Sequence, residues 1–271
     1  MIIGFIGAGV MARALAKGII ECGGVPEKNM ICSTPTENGG KAFLELFPEA
    51  RWTANNNEEV VRQSDITVIA VKPQIFPEAV STLREASAGK LFLSLMAGVT
   101  LEKICAALHP TARVVRAMPN TPLQVGKGAS VYVGSPTVTD KDLTNMHRLL
   151  STAGRAWPVE ESQINAITAL SGSGPAYLFH FIDAMVRGGV KLGLPEHLAR
   201  DLAIQTVLGS AVLASQSTLS PMELAAQVKS PKGTTLAGCA VLDDKDALND
   251  LIARCMAAAN NRAEELAGGK V

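Results

Sequence analysis

Three glycine-bearing segments carry residue types suited to gripping an anion. Gly7-Ala8-Gly9-Val10-Met11-Ala12 follows the apolar run Ile2–Ile6 and reads as a strand, a G-x-G-x-x-A turn and a helix. Gly7 would make the tight turn, Gly9 lets the backbone approach phosphate oxygens with no Cβ between, and Ala12 lets helix and strand pack closely. The helix N-terminus then adds unpaired N–H groups and a partial positive charge. That chemistry suits a dinucleotide pyrophosphate, with Ile6, Gly7, Ala8, Gly9, Val10 and Met11 around it. The plainer reading is a glycine turn in an ordinary βα unit. Ser171-Gly172-Ser173-Gly174-Pro175-Ala176-Tyr177 and Lys229-Ser230-Pro231-Lys232-Gly233-Thr234-Thr235 each read as preceding a helix. Each can present N–H groups and hydroxyls to a second anion, or simply cap and pack its helix.

Further candidates lie where strands end. Ala70-Val71-Lys72-Pro73 closes the β-branched run Ile66–Val71, and Ala97-Gly98 follows the run Leu91–Leu95. Ligands of open α/β sheets sit outside the carboxyl ends of strands, so both places suit a nicotinamide. Lys72 reads equally as an acid or as a surface lysine. Met118-Pro119-Asn120-Thr121-Pro122 lies on the same rim, as a ligand-contacting loop or as a proline-fixed turn. The second strand ends in Cys32-Ser33-Thr34-Pro35-Thr36, where NAD-binding chains place a carboxylate for the ribose. Ser33, Thr34 and the Asn55-Asn56-Asn57 run, Asn57 included, could instead bond a 2′-phosphate. This favours NADPH, and the lack of an arginine there leaves NADH possible; a solvated turn is the alternative.

These residues need a scaffold. Val10, Met11, Ala14, Leu15, Ile19 and Ile20 have helical spacing over residues 10–22, and Met30–Cys32 reads as a second strand. Asn57 before Glu58 and Glu59 reads as an N-cap, Thr100 as the cap of a helix to Leu108, and Thr139-x-x-Asp142 as a capping box. Residues 113–116 and 130–133 read as strands. Alternation of this kind predicts a doubly wound α/β domain over residues 1–159. From about Glu160 the strand signals vanish, and apolar residues recur at helical spacing. Residues 160–271 thus read as an all-α domain with long helices at 196–216 and 244–266, and with Pro175, Pro195 and Pro221 in first turns. Its broad apolar faces suggest a partner subunit.

Bulk properties narrow the class. The 271 residues are 47% hydrophobic and 18% charged, with 25 basic and 25 acidic side chains. Such balance suits a folded core and points to neither a nucleic-acid nor a membrane partner. No apolar run approaches the about 18 residues that a membrane span needs. The N-terminal apolar run has no basic flank and is broken by glycines, which argues against a secretory signal. Five cysteines without C-x-x-C spacing suggest reduced thiols in a cytoplasmic protein, and the four histidines show no metal-ligand spacing.

The chain resembles the pyrroline-5-carboxylate reductases. The matching segments are F-I-G-A-G-V-M-A, A-V-K-P-Q at 70–74, V-R-A-M-P-N-T-P at 115–122, L-S-G-S-G-P-A-Y at 170–177, G-G-V-K-L-G-L-P at 188–195 and S-P-K-G-T-T at 230–235. The resemblance implies a Rossmann-type domain followed by an all-α dimerisation domain, with dimers often gathered into decamers. It implies NAD(P)H-dependent reduction of 1-pyrroline-5-carboxylate to L-proline. It assigns the substrate carboxylate to the backbone N–H groups of Gly233, Thr234 and Thr235, the ring nitrogen to the Thr235 hydroxyl, and support of that pocket to Ser173. Met118, Asn120, Ser171 and Gly172 complete the substrate-binding set. The chain departs from the family at Lys232, where S-P-G-G-T-T has glycine. A positive φ there would strain a lysine, and its charge could favour the carboxylate.

Three other readings stand beside this one, and of these an imine reductase acting on another cyclic imine is the hardest to set aside. A β-hydroxyacid dehydrogenase would place a lysine on the helix after its Gly-rich motif, and Gly172–Phe181 holds none. A cofactor-binding sensor would not need two further anion-type motifs.

Overall fold

The computed structural model describes residues 1–268. Eight strands are present: β1 (Ile3–Ile6), β2 (Met30–Thr34), β3 (Arg51–Ala54), β4 (Ile66–Ile69), β5 (Leu91–Ser94), β6 (Arg113–Met118), β7 (Gly128–Gly134) and β8 (Gly154–Pro158). They form one sheet in the order β3-β2-β1-β4-β5-β6-β7-β8. Every pair is parallel except β6 with β7. β1, β2, β4 and β5 are buried along their whole length, as parallel strands covered on both faces must be. The strand order reverses between β1 and β4, which opens a crevice at their carboxyl ends.

Helices α1 (Val10–Gly23), α2 (Glu37–Leu44), α3 (Asn57–Gln63), α4 (Phe76–Val80), α5 (Leu101–Ala107) and α6 (Asp140–Ser151) cover the sheet. Leu15 and Ile19 of α1 join Met146 and Leu150 of α6 and Phe5 of β1 in one core. Val60, Val80 and Ile104 of α3, α4 and α5 join Ile6, Ile69 and Phe92 in a second. Local signals set several helix starts. Thr100 Oγ1 accepts from Lys103 N–H, and Thr139 with Asp142 forms a full capping box. The expected cap at Asn57 is displaced by one residue: Asn56 accepts from Glu59 N–H, and Asn57 is the first helical residue.

The remaining helices are α7 (Ile164–Ile167), α8 (Gly174–Lys191), α9 (Glu196–Gln216), α10 (Pro221–Gln227), α11 (Thr234–Asp243) and α12 (Ala247–Gly268). Pro221 opens α10, Pro175 lies in the first turn of α8, and Pro195 is the cap before α9. A single turn, Asp244–Asp246, breaks the expected 244–266 helix, with Lys245 in the left-handed region at φ 51°. No single helix among the described residues is long and apolar enough to cross a membrane.

Two compact units emerge, Met1–Ser173 with the segment from Ala259 onward, and Gly174–Ala258. The boundary read from composition, at 159/160, marks where strands end, since β8 stops at Pro158. Packing of the first unit runs further. Ile164 is buried against Met118 and Val131, with Ile167 beside them, so the contact boundary falls at 173/174.

Candidate functional site

The glycine turn is built as its chemistry requires. Ile6 ends β1, buried, and Gly7 follows at φ +90°, its N–H donating to the Ser33 carbonyl at 2.9 Å. A Cβ on Gly7 would lie 2.9 Å from the Ala70 carbonyl oxygen, so strand β4 leaves no room for a side chain. Gly9 caps α1 with an extended backbone, and a Cβ there would meet only Ala70 O at 4.0 Å. The space over Gly9 is therefore open, as close approach of a phosphate requires. Ala8 and Ala12 are buried, Met11 packs on the core, and Val10 faces solvent.

A cleft of about 390 Å³ adjoins this turn and is lined in part by Gly7, Ser33, Asn55, Asn57, Val71 and Glu78. Ser33 is 1% exposed, and its hydroxyl has no hydrogen-bond partner among the described residues. A buried hydroxyl left unbonded at a cleft wall is a group that a bound molecule or an ordered water would satisfy. Thr34 is different from expectation. Its hydroxyl donates to Thr36 O and accepts from Trp52 Nε1, both at 2.8 Å, so it is spent on the fold. Asn57 lines the cleft while its amide donates to Ala79 O. Sequence reading missed Glu78, a carboxylate on the same cleft whose position depends on the turn after β4. Burial pushes the Cys32 thiol up to about 12, so the residue before Ser33 is a neutral core group and no nucleophile.

The other strand ends form the rim. Ala70 N–H donates to Ile6 O, Val71 lines the cleft, and exposed Lys72 caps the single turn begun by Pro73. Ala97 packs beside Met118, with Gly98 following at φ +74°. Lys72 is exposed, and its surface reading is the simpler one.

Met118, Asn120, Ser171 and Gly172 do come together. The Gly172 Cβ position lies 2.7 Å from the Met118 methyl. Their roles differ from those expected. The Ser171–Tyr177 motif does lead into a helix, since α8 starts at Gly174, but it is preceded by a π-turn, Thr168–Gly172, that follows α7. Its register is marked by Ser173 N–H donating to Thr168 O, five residues back, at 2.8 Å. The Ser171 hydroxyl bonds Ile167 O. The Asn120 amide donates to Ser171 O and accepts from Ala129 N–H, so its side chain is committed to the fold.

In the second unit, α11 begins at the S-P-K-G-T-T segment. Lys232 adopts φ +61°, and Gly233 caps the helix. A Cβ on Gly233 would fall 2.2 Å from Ser230 Oγ and 3.0 Å from Ser230 O, so a side chain there would crowd the turn. Its N–H donates to Ser230 O at 2.9 Å and is not free for an anion, contrary to expectation. The N–H groups of Thr234 and Thr235 remain as the open donors of the first turn. In the same unit the Tyr177 hydroxyl is buried without a partner among the described residues. Among those residues no cluster of metal-ligating side chains occurs.

Comparisons with known proteins agree with this architecture. A family model described as pyrroline-5-carboxylate reductase dimerisation matches residues 161–266, and one described as NADP oxidoreductase coenzyme F420-dependent matches residues 2–98. The pyrroline-5-carboxylate reductase of Arabidopsis thaliana is 38% identical over 97% of this chain and 95% of its own. That of Synechocystis is 37% identical, covering 97% of each. The solved reductase of Coxiella burnetii superposes with TM-score 0.90 at 34% identity, covering 97% of both chains. The Plasmodium falciparum pyrroline carboxylate reductase, solved with NADP bound, gives TM-score 0.88 at 28% identity over 98% of both.

Proposed function

The chain belongs to the pyrroline-5-carboxylate reductase family, and from that premise we propose that it reduces the C=N bond of 1-pyrroline-5-carboxylate to L-proline. The observation that carries this reading is likeness over 97% of the chain, spanning both the glycine turn and the S-P-K-G-T-T helix start.

The residues fit a dinucleotide. The open space over Gly9 and the N-terminus of α1 suit the pyrophosphate, and the unbonded Ser33 hydroxyl suits the adenosine ribose and its 2′-phosphate. Asn57, Val71 and the rim at Ala97 and Gly98 complete the track. NADPH is favoured because β2 ends in Ser33-Thr34 without a carboxylate of its own, although Glu78 lines the same cleft; NADH remains a second donor. Bound there, the reduced nicotinamide supplies the hydride.

The chain's own work is positioning. The N–H groups of Thr234 and Thr235 hold the substrate carboxylate at the N-terminus of α11, where the helix dipole favours negative charge. The Thr235 hydroxyl bonds the ring nitrogen. A protonated imine accepts hydride at carbon while its nitrogen keeps the proton, so neither nucleophile nor metal is required.

The 160–271 region is read as the dimerisation and substrate domain, and 1–159 as the cofactor domain. Exposed Leu198, Leu202, Ile204, Leu208 and Leu213 on α9 support a second copy as the covering partner. Assembly of dimers into decamers and a cytoplasmic setting extend the same reading. Loss of NADPH absorbance with 1-pyrroline-5-carboxylate, with L-proline identified as product, tests the activity. Protein that binds NADPH and turns over none of this imine would overturn it.

A further inference from the structure

One half-buried ion pair, its arginine buried and its glutamate side chain 35% exposed, lies outside everything assigned above. Arg116 of β6 is 3% exposed at its side chain, and its Nη1 donates to Glu161 Oε1 at 2.5 Å. The same oxygen accepts from Leu101 N–H at 3.0 Å. One carboxylate oxygen thus ties three segments of the first unit. Arg116 stands two residues before Met118, paired with Ser94 of β5 and Val133 of β7. Leu101 opens α5, three residues after Gly98. Glu161 opens the stretch that leads through α7 into the π-turn.

The pair is poorly arranged for stability. Arg116 Nε and Glu161 Oε2 are both buried without a hydrogen-bond partner among the described residues. A buried pair repays its desolvation only when its remaining donors and acceptors are bonded, and removing one partner strands the other's charge. What the pair does supply is a fixed distance between the rim loop, strand β6 and the start of the π-turn run.

Building on the reductase reading, we propose that Arg116 and Glu161 are a positioning pair for hydride transfer. They set the nicotinamide-facing rim at Ala97 and Gly98 against Met118 and the π-turn, touching neither cofactor nor substrate. Ala97 already packs in one cluster with Met118 and Ile164, so a shift of Glu161 moves rim and π-turn together.

The test uses the full-length enzyme with Glu161→Gln, which keeps a carbonyl acceptor for both donors, and Glu161→Ala, which removes it. Measured are thermal stability, NADPH affinity by fluorescence, kcat, KM and the isotope effect on kcat with NADPH deuterated at the transferred position. In Glu161→Ala, kcat per folded enzyme should fall about tenfold or more, since small misplacements of reacting atoms are costly. The isotope effect should rise as the chemical step becomes slower, with NADPH affinity held within about twofold. Glu161→Gln should recover most of kcat. If Glu161→Ala does not fold, Arg116→Lys takes its place, keeping the charge but losing the fork geometry.

Unchanged kcat with only a lower melting temperature would overturn the proposal. So would an unchanged isotope effect. The two readings fail separately. A wild type that binds NADPH but consumes none overturns the activity and this role with it, whereas an active wild type whose variants keep its kcat overturns the positional role alone.

Discussion

The Asn120 amide donates to the Ser171 carbonyl at 3.0 Å, and Pro175 explains why it must. In a regular helix Ser171 O would accept from the N–H four residues on. That residue is proline, which has no N–H and whose ring crowds the same carbonyl. The helical path widens into the π-turn Thr168–Gly172, and Asn120 supplies the missing donor from the end of β6. Its oxygen meanwhile holds Ala129 N–H at 2.8 Å. Asn120→Ala should therefore destabilise the protein by about 1–3 kcal/mol, because two half-buried backbone groups lose their partners. Asn120→Asp should be no milder, since it sets a carboxylate oxygen against a carbonyl. Urea unfolding of both variants checks this; a loss confined to kcat/KM would return Asn120 to the substrate-binding set.

That relationship also shows what a sequence can and cannot reveal. The Ile66–Ile69 strand was legible because β-branched residues buried on both faces leave few alternatives. Strands β3 and β8 were not read as strands. They are the two edges of the sheet, where Arg51 and Trp157 are exposed and Gly154 and Pro158 break the pattern. The glycine turn at Gly7 carried its own signature. The π-turn left one unused local clue, a proline four residues after Ser171. The Arg116–Glu161 pair joins residues 45 apart and leaves no local clue at all.

The unbonded Ser33 hydroxyl makes a separable prediction. Ser33→Ala removes a buried polar atom with no partner to lose, so stability should change by no more than about 0.5 kcal/mol. NADPH should bind about tenfold more weakly, with a smaller effect on NADH, as expected for one lost hydrogen bond to the 2′-phosphate. Equilibrium titration with each dinucleotide decides it. Equal affinities for wild type and variant would remove Ser33 from the cofactor site.

Lys232 sits in the left-handed region at φ +61°, one residue before the Gly233 cap. Relief of that strain in Lys232→Gly is offset in part by the greater freedom of glycine in the unfolded chain. The net should be a gain of about 0.5–1 kcal/mol in unfolding free energy. If the ammonium also favours the substrate carboxylate, KM should rise about two- to fivefold, the range of an exposed charge pair. A KM unchanged across ionic strength would leave Lys232 only its strain.

Acid stability should report Asp142. Burial pushes its carboxyl up, but hydrogen bonds from the Thr139 hydroxyl and N–H and the Arg113 guanidinium outweigh that and hold it below its ordinary value. A depressed folded value means the contribution is complete above the unfolded value and is lost as pH falls through the folded one. Asp142→Asn should thus cost most near neutral pH, through weakened Thr139 bonds and loss of the Arg113 bonds at 2.6 and 2.8 Å. The gap between wild type and variant should close in acid. Denaturant unfolding from neutral pH to below the ordinary Asp range would show it, and a gap independent of pH would refute it.

Thr235 is the sharpest test of the assigned chemistry. It lies in the first turn of α11, beside the open N–H groups, and Gly233 rather than a side chain caps that helix. Its hydroxyl is therefore not needed to start the helix, and Thr235→Ala should leave the melting temperature nearly unchanged. If the hydroxyl bonds the ring nitrogen, kcat/KM should fall by about 1–3 kcal/mol of transition-state stabilisation, or roughly fivefold to a hundredfold. NADPH affinity should stay the same, because the lost bond is to substrate. Thr235→Ser keeps the hydroxyl and should restore most of the rate. Steady-state kinetics of the two variants with matched NADPH titrations separate the outcomes: equal losses in both would assign Thr235 to packing, and no loss in either would move the ring-nitrogen contact to another residue.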